Sequence, residues 1–383
     1  MKTEIEKSKL KAEEGNSVDR RFMRRALDLA ARGRGLTSPN PLVGCIIVDE
    51  HGVVVGEGFH LYAQVKHAET IALEQAGERA RGATCYVSLE PCAHYGRTPP
   101  CTDALIRAGI RRVVAPIVDP NPLVAGRGFA QLQAAGIDVE VGLMAREAER
   151  LNEHYLHYMR MRRPFVHLKL ACSLDGKIAT RSGDARWITG EGARARVHEL
   201  RHVHDAILIG AGTALADDPL LTDRSGLERH RPLVRVVLDE ELRLDARSKL
   251  AQTARAVPVI VFARTCADSA RRRELEERGI EVVLGDTSPL AVLEELGRRK
   301  LQSVLIEGGS NVAGQFLNAG LVNKATFFIA PIIIGAEGLS AVGNLHAERV
   351  MDAIRLHDVA IERHGEDIEV TGYLKAADQP PAA

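Results

Sequence analysis

The feature that most constrains the fold is an alternation of short apolar runs with amphipathic helical segments along the 383-residue chain. The runs 42–48 and 83–89 are typical of buried strands, and the segments 22–31 and 68–76 have apolar residues at helical spacing. Strands that alternate with helices predict an α/β sandwich around a sheet.

The alternation is interrupted at Arg162-Arg163-Pro164, where the proline ends a charged helix predicted over 145–161. We assign no site residue to that helix. We predict a first domain at 21–162 and a second at 163–376, each α/β and each with its own core. The charged start, 1–20, is predicted to be a disordered tail, and 377–383 a short second tail.

The charge balance argues against two classes of partner. The chain has 51 basic and 51 acidic residues, so no net field favours nucleic acid or an anionic membrane. No apolar run approaches the roughly 20 residues that span a bilayer, and the start lacks the apolar region of a secretory signal. We predict a cytoplasmic protein whose six cysteines are thiols or metal ligands rather than disulfides.

Three residues have the spacing of a catalytic zinc site. His67 opens a predicted helix, Cys92 follows a predicted strand, and Cys101 comes nine positions later. One histidine and two thiolates leave the fourth tetrahedral position of Zn²⁺ for water, whose pKa the metal lowers to about 7. Glu69, two residues after the histidine, is predicted to take the proton of that water and pass it to a leaving amine.

The alternative is that His67 is a surface histidine and that the two cysteines bind nothing. Each residue taken singly would favour that interpretation. Their combination with Glu69, in a strand–loop–helix context, favours catalytic zinc over both this alternative and a closed structural zinc site.

The same segments resemble the bifunctional deaminase/reductase of riboflavin biosynthesis. The resemblance is carried by 37–44 (TSPNPLVG), 67–69 (HAE), 91–101 (PCAHYGRTPPC) and 119–126 (DPNPLVAG). It implies a cytidine-deaminase-like α/β/α sandwich that acts on a pyrimidine with a phosphorylated ribosylamino group. It also implies substrate contacts from Asn40, His60, Arg97, Asp119 and Asn121. For Asn40 and Asn121, turn formation beside proline is an equally good explanation.

The second half has a weaker motif of its own. A glycine-rich turn, Glu307-Gly308-Gly309-Ser310-Asn311-Val312-Ala313-Gly314, follows the apolar run 303–306 and precedes a helix. Such a turn lets backbone N–H groups approach a phosphate, but glycines at this place are often only tight-turn residues.

The segments 169–179, 187–189 and 212–219 resemble the reductase domain of the same family, whose fold is similar to dihydrofolate reductase. The resemblance implies NADPH as hydride donor for reduction of the ribosyl group to ribityl. The implied substrate contacts are Arg201, Leu221, Arg224 and Glu307. The implied cofactor contacts are Ala171, Trp187, Thr213, Asp217, Gly309, Ser310, Asn311, Val312, Ala313, Gly314 and Gln315.

We therefore expect a zinc deaminase joined to an NADPH reductase, acting on a small molecule and, by family likeness, forming a homodimer. Two alternatives remain at this point. One is a tRNA or nucleoside deaminase with an unrelated C-terminal nucleotide-binding domain, although eight residues between the cysteines differ from the two usual in those enzymes. The other is a non-catalytic zinc protein with a nucleotide-sensing domain.

Overall fold

The computed structural model describes residues 4–374, with the side chains of residues 17–374. The chain divides into two compact units between Arg160 and Met161, two residues before the predicted boundary. The predicted tail at 377–383 lies outside the described residues. Within the described part of the chain, no helix is long and apolar enough to span a membrane.

The first unit is a three-layer sandwich around a five-stranded sheet of order β2-β1-β3-β4-β5, in which β1 is antiparallel to its neighbours and β3, β4 and β5 are parallel. Its strands are β1 (Gly44–Val48), β2 (Val54–Phe59), β3 (Thr84–Val87), β4 (Arg112–Ala115) and β5 (Asp138–Val141). Its helices are α1 (Glu4–Ala31), α2 (Ala68–Ala76), α3 (Cys101–Ala108), α4 (Arg127–Ala134), α5 (Ala145–Leu151) and α6 (Glu153–Met161).

The alternation of side chains along β1 explains the two helical layers. Cys45 and Ile47 are buried in the cluster that holds α2, α3 and α4. Ile46 and Val48 point the other way, into the cluster formed with α1, α5 and α6. Because successive residues of a strand face opposite sides of a sheet, an entirely apolar β1 requires a helical layer on each face.

The predicted disordered tail at 1–20 is wrong for residues 4–20, which belong to α1. The charged segment is rich in Glu, Lys and Ala, which are strong helix formers. Asp19 also has tertiary partners, because its carboxylate accepts hydrogen bonds from the Arg112 guanidinium at 2.8 and 3.1 Å and from the Tyr86 hydroxyl. Composition alone does not contain those contacts, and residues 1–3 lie outside the described part.

The single helix predicted over 145–161 is two helices, α5 and α6, which meet at Asn152. The buried amide of Asn152 accepts a hydrogen bond from Leu42 N at 2.8 Å and donates one to Leu42 O at 2.9 Å. This pairing fixes the start of α6 beside the loop that precedes β1.

The second unit is built on a nine-stranded sheet of order β11-β10-β9-β8-β12-β6-β13-β16-β15. Its strands are β6 (Phe165–Ser173), β7 (Lys177–Ala179), β8 (Ala206–Gly210), β9 (Val234–Leu238), β10 (Val259–Ala263), β11 (Glu281–Leu284), β12 (Ser303–Ile306), β13 (Lys324–Ala330), β14 (Leu339–Ser340), β15 (His357–His364) and β16 (Asp367–Tyr373). Its helices are α7 (Glu191–Val203), α8 (Ala211–Asp217), α9 (Lys249–Gln252), α10 (Ser269–Glu277), α11 (Pro289–Arg298) and α12 (Ser310–Asn318).

The sheet is parallel from β11 to β13, and the β15–β16 hairpin adds antiparallel strands at one edge. The hairpin escaped sequence analysis because β15 is exposed along its length except for the half-buried His364, and so lacks the alternation of a half-buried strand. The carboxyl ends of β6, β8 and β12 lie side by side, and α8 and α12 begin there. The predicted two-domain α/β fold class is confirmed.

Candidate active sites

Three potential metal ligands converge in the first unit. The Nδ1 atom of His67 lies 3.4 Å from Cys92 Sγ and 3.2 Å from Cys101 Sγ. Tetrahedral zinc with one nitrogen and two sulfur ligands separates such atoms by about 3.5 Å. The structure therefore brings together the three ligands that the sequence predicted, with His67 facing the site through Nδ1.

The main chain holds the two cysteines in register. Cys101 is the first residue of α3, and its N–H donates to Cys92 Sγ at 3.4 Å. The N–H and the hydroxyl of Thr102 both donate to the carbonyl of Cys92, at 3.2 and 3.3 Å. A helix N-terminus favours negative charge, so the position of Cys101 suits a thiolate ligand.

The electrostatics of the three ligands suit a cation. A hydrogen bond from the Cys101 thiol, together with His67, lowers the pKa of Cys92 to about 4. The same hydrogen bond and burial raise the pKa of Cys101 well above its usual value. A divalent cation bound between the partly buried Cys92 and the buried Cys101 would favour the thiolate form of both. The donor set fits zinc.

Glu69 is the second residue of α2, two positions after His67, and lines the same cavity as His67 and Cys92. The residue is 3% exposed, and burial raises the pKa of its carboxyl group. Its Oε2 atom is buried without a hydrogen-bond partner in the protein. A water bound to the metal would give this oxygen the hydrogen-bond partner that it lacks in the protein. A carboxylate in that position is suited to transfer a proton to and from the water.

The residues predicted to bind the pyrimidine line one cavity of about 230 Å³ together with the zinc ligand His67 and with Glu69. The predicted members that line it are Asn40, His60, Arg97, Asp119 and Asn121. The structure thus gathers five residues that are up to 81 positions apart in the sequence into the same space.

The hydrogen bonds of His60 fix its orientation in the cavity. Its Nδ1 atom lies 3.0 Å from the carbonyl of Lys66, and its Nε2 atom lies 2.9 Å from the Asn40 amide nitrogen. Burial lowers the pKa of His60. With Nδ1 donating to the Lys66 carbonyl, Nε2 accepts from the Asn40 amide, so Asn40 does more than form a turn.

Asn121 and Arg97 have partners of different kinds. The Asn121 side chain accepts from Leu123 N at 3.1 Å, so this asparagine does take part in the turn chemistry that the sequence left open. The guanidinium of Arg97 lies 5.0 Å from the centre of the Tyr62 ring, within cation–π range. Arg97 is thus held at the cavity by an aromatic face.

Two further residues that line this cavity were not among the predicted site residues. Tyr155 of α6 lines the cavity, and its hydroxyl lies 3.0 and 3.2 Å from the two carboxylate oxygens of Asp119. Glu90, noticed but left out, accepts from the N–H groups of Asp119, Gly126 and Gly128 at 2.9 to 3.0 Å. Because Glu90 precedes Pro91-Cys92, it ties the zinc loop to the loop that carries Asp119.

In the second unit a buried ion cluster stands at the carboxyl end of β12. Both oxygens of Glu307 accept from Arg201, at 2.7 and 3.0 Å, and Lys169 Nζ lies 3.4 Å from Oε2. Although burial opposes ionisation of Glu307, the charges of Arg201 and Lys169 lower its pKa to about 2. Lys169, which lies in the segment that carries the resemblance, was not assigned a role from the sequence.

The other predicted substrate residues of this half differ in exposure. Arg224 is exposed and available to an anion. The Leu221 side chain is 4% exposed and packs in the apolar core, with a left-handed backbone φ of 50°. Any contact from Leu221 to a ligand would therefore be made by its backbone.

The glycine-rich turn leads into α12 next to α8. Gly309 donates its N–H to the Thr213 hydroxyl at 3.1 Å, and an added Cβ at Gly309 would lie 3.2 Å from that oxygen. The side chains of Val312 and Ala313 are buried. The first turn of α12 therefore presents backbone N–H groups rather than these side chains.

The remaining predicted cofactor residues lie around the same edge of the sheet or in a loop of the same unit. Ala171 is in the carboxyl-terminal half of β6, and Asp217 ends α8 and is exposed. Trp187 is 75% exposed, and the Arg194 guanidinium lies 4.8 Å from the centre of its ring.

Each half of the chain matches a known protein family. Residues 16–117 match the cytidine and deoxycytidylate deaminase zinc-binding region, and residues 164–370 match the RibD C-terminal domain. The second match rules against an unrelated C-terminal domain, and with it the tRNA or nucleoside deaminase alternative.

Individual relatives match over nearly the whole chain. The riboflavin biosynthesis protein RibD of Aquifex aeolicus is 41% identical over 92% of this chain and 98% of its own length. A solved structure of Acinetobacter baumannii RibD is 38% identical, with a TM-score of 0.84 over 94% of this chain and 100% of its own.

A Thermotoga maritima structure described as a diaminohydroxyphosphoribosylaminopyrimidine deaminase/5-amino-6-(5-phosphoribosylamino)uracil reductase is 36% identical. Its TM-score is 0.83 over 94% of this chain and 99% of its own. The protein is thus an enzyme that acts on a small molecule, and the cofactors of its two domains are Zn²⁺ and NADPH, as predicted. The chain belongs to the RibD family of riboflavin biosynthesis proteins and joins a zinc deaminase domain to a reductase domain.

Proposed function

We propose that the first domain, 21–162, deaminates 2,5-diamino-6-(5-phosphoribosylamino)pyrimidin-4-one and that the second, 163–376, reduces the ribosyl group of the product to ribityl with NADPH. The observation that carries the proposal is the convergence of His67, Cys92 and Cys101 with buried Glu69 on one polar cavity. The Thermotoga maritima relative, named for both reactions, supports the substrate.

In the deaminase domain, His67, Cys92 and Cys101 would hold zinc, which when bound would supply an activated water at neutral pH. Glu69 takes a proton at its buried Oε2 and delivers it to the leaving amine. The net reaction replaces an amino group of the ring with oxygen from water and releases ammonia.

The substrate residues divide by chemistry. Arg97, stacked on Tyr62, is assigned to the phosphate because a guanidinium donates paired hydrogen bonds to oxyanions. Asn40 and His60, bonded to each other, and Asp119 and Asn121 of the facing loop are assigned to the polar edges of the pyrimidine and the sugar. These contacts account for a small polar ligand rather than a polymer.

In the reductase domain, Arg201 and Arg224 are assigned to the substrate phosphate, with Glu307 orienting Arg201 and Leu221 contributing its backbone. NADPH is assigned to the edge formed by β6, α8 and α12. The residues that would contact it are Ala171, Trp187, Thr213, Asp217, Gly309, Ser310, Asn311, Val312, Ala313, Gly314 and Gln315.

A homodimer in the cytoplasm completes the proposal. The edge strand β15 is exposed except for half-buried His364, with Val359 51% and Ile361 68% exposed. Unprotected strand edges pair with other strands, and a second copy offers the same edge by symmetry.

A reducing compartment suits unpaired thiols such as Cys45 and Cys85, whose sulfurs lie 3.5 Å apart without a disulfide.

The test uses zinc-loaded protein and the diaminopyrimidinone ribosylamino phosphate. Ammonia release is recorded without NADPH, and NADPH oxidation is then followed after the cofactor is added. We expect ammonia first and NADPH consumption second, with a chelator abolishing ammonia release while reduction of pre-deaminated substrate continues. Absence of ammonia release from the zinc-loaded protein would refute the deaminase assignment.

A further inference from the structure

We propose that Tyr155 is a positioning residue of the deaminase site, which acts on the substrate through the carboxylate of Asp119. The inference rests on the proposed function, where Asp119 is assigned to the pyrimidine. It gives a role to α6, a helix that shows no chemistry in the sequence.

The geometry places one hydroxyl against one carboxylate inside the cavity wall. Tyr155 Oη lies 3.0 Å from Asp119 Oδ1 and 3.2 Å from Oδ2, and both residues are buried at 4% and 5% exposure. Asp119 Oδ1 also accepts from Asn121 N at 2.8 Å. A carboxylate has about four acceptor positions, so Asp119, which lines the cavity, retains acceptor capacity.

The rest of the domain fixes Tyr155 from behind. The double hydrogen bond between Asn152 and the main chain of Leu42 sets the start of α6. Tyr155 follows three residues later, on the helix face packed in the core beside α1. Leu42 belongs to the loop that carries Asn40, so the short segment 152–155 contacts both this loop and the loop that carries Asp119.

The surroundings of Asp119 make its charge sensitive to this hydroxyl. Burial raises the pKa of Asp119 to about 6, while the Asn121 N–H and the Tyr155 hydroxyl act in the opposite direction. Glu90 further raises this pKa and His94 lowers it. Besides the cysteine ligand, the charged and titratable side chains that line the cavity are His60, His67, Glu69, Glu90, His94 and Arg97.

An ionised Asp119 is the form that suits an aminopyrimidine. A carboxylate accepts hydrogen bonds from ring N–H and amino groups, whereas a protonated carboxyl group has to donate one. By donating to Asp119, Tyr155 favours the ionised form near neutral pH and fixes the direction of the remaining lone pairs. The tyrosine thus contributes to recognition without touching the reacting carbon.

The test compares Tyr155→Phe with Tyr158→Phe in the full zinc-loaded chain. Tyr158 is buried on the same helix and is not among the described residues that line the cavity. We expect Tyr155→Phe to lower kcat/KM for ammonia release about tenfold at pH 6.5, mainly through KM, because it removes a hydrogen bond to a charged group. The acid limb of its pH profile should move to higher pH, and Tyr158→Phe should behave like the wild type.

Zinc content and reduction of pre-deaminated substrate report whether the variant is folded. A Tyr155→Phe enzyme with an unchanged acid limb and unchanged KM would overturn the inference, as would loss of zinc, which would indicate a structural role. Failure of the wild type to release ammonia would overturn the proposed function and this inference together. Ammonia release by the wild type with an unaffected variant would overturn this inference alone.

Discussion

The two sites are built in different ways. The deaminase cavity is lined by side chains from several loops. The Glu90 carboxylate links two of these loops by accepting hydrogen bonds from backbone N–H groups of residues 119–128. The reductase site is an open edge of a parallel sheet, where the first turn of α12 presents main-chain N–H groups. Its charged side chains include the ion cluster that Glu307 forms with Arg201 and Lys169.

The difference has a chemical reason. Hydrolytic deamination needs a proton carrier and a metal held to a fraction of an ångström, so the protein itself supplies the reacting groups. Hydride transfer is carried by the cofactor, so the protein mainly binds and orients it. Substitutions should therefore affect the first site through chemistry and the second through binding and stability.

The largest expected effect is at Glu69. Glu69→Gln keeps the shape of the side chain but removes the proton carrier, so kcat for ammonia release should fall about 10³-fold. Zinc content and NADPH-dependent reduction should stay unchanged, because neither depends on this carboxylate. Glu74→Gln, on the exposed face of the same helix and paired with Lys66, is the matched control. If Glu69→Gln lost zinc, the residue would have to be counted among the ligands.

The second effect is on stability, at Glu307. Glu307→Gln leaves Arg201 and Lys169 as buried cations without their shared carboxylate, which should cost about 3 kcal/mol of unfolding free energy at pH 7. Urea unfolding followed by far-ultraviolet circular dichroism measures the difference between the variant and the wild type. Glu337→Gln is the control, because its partner Arg181 and Glu337 itself are both exposed.

The same variant has a pH signature. Because the pKa of Glu307 is about 2 in the folded protein, below the ordinary value of about 4.3, its stabilisation is complete above the ordinary value. It is lost as pH falls toward the folded pKa. The difference in unfolding free energy between the wild type and Glu307→Gln should therefore shrink as the pH falls from about 5 to about 2, because Glu307 takes up a proton over that range. A constant difference over that range would mean that the carboxylate charge is not what stabilises the cluster.

The smallest effect is at the glycine-rich turn. The Gly309 N–H donates to the Thr213 hydroxyl, and an added Cβ at Gly309 would lie 3.2 Å from that oxygen. Gly309→Ala should therefore shift the turn by tenths of an ångström. We expect KM for NADPH to rise about threefold with kcat and ammonia release unchanged. Gly285→Ala is the control, because an added Cβ there meets nothing within 4 Å. A large loss of kcat would show that the turn contributes to the chemistry.

The sequence by itself determined the two-domain α/β fold class and singled out the candidate zinc ligands. The spacing of the apolar residues predicted α2 at 68–76, with the bounds that the structure gives it, since local periodicity reflects which face is buried. His67, Glu69, Cys92 and Cys101 were predicted because their chemistry is unusual enough to be recognised in a short motif. The individual substrate and NADPH contacts remain predictions.

Only the tertiary structure decided the partners of residues that look ordinary in the sequence. In the sequence, Tyr155 is an aromatic residue of a charged helix with nothing to distinguish it. In the structure its hydroxyl donates a hydrogen bond to Asp119. Asp19 looks like part of a charged tail, but in the structure its carboxylate accepts a hydrogen bond from Arg112. Leu221 is a predicted ligand contact, and the packing of its side chain in the core leaves only its backbone for that contact. Local sequence records period and residue chemistry, whereas the pairing of side chains distant in sequence is set by how the layers pack.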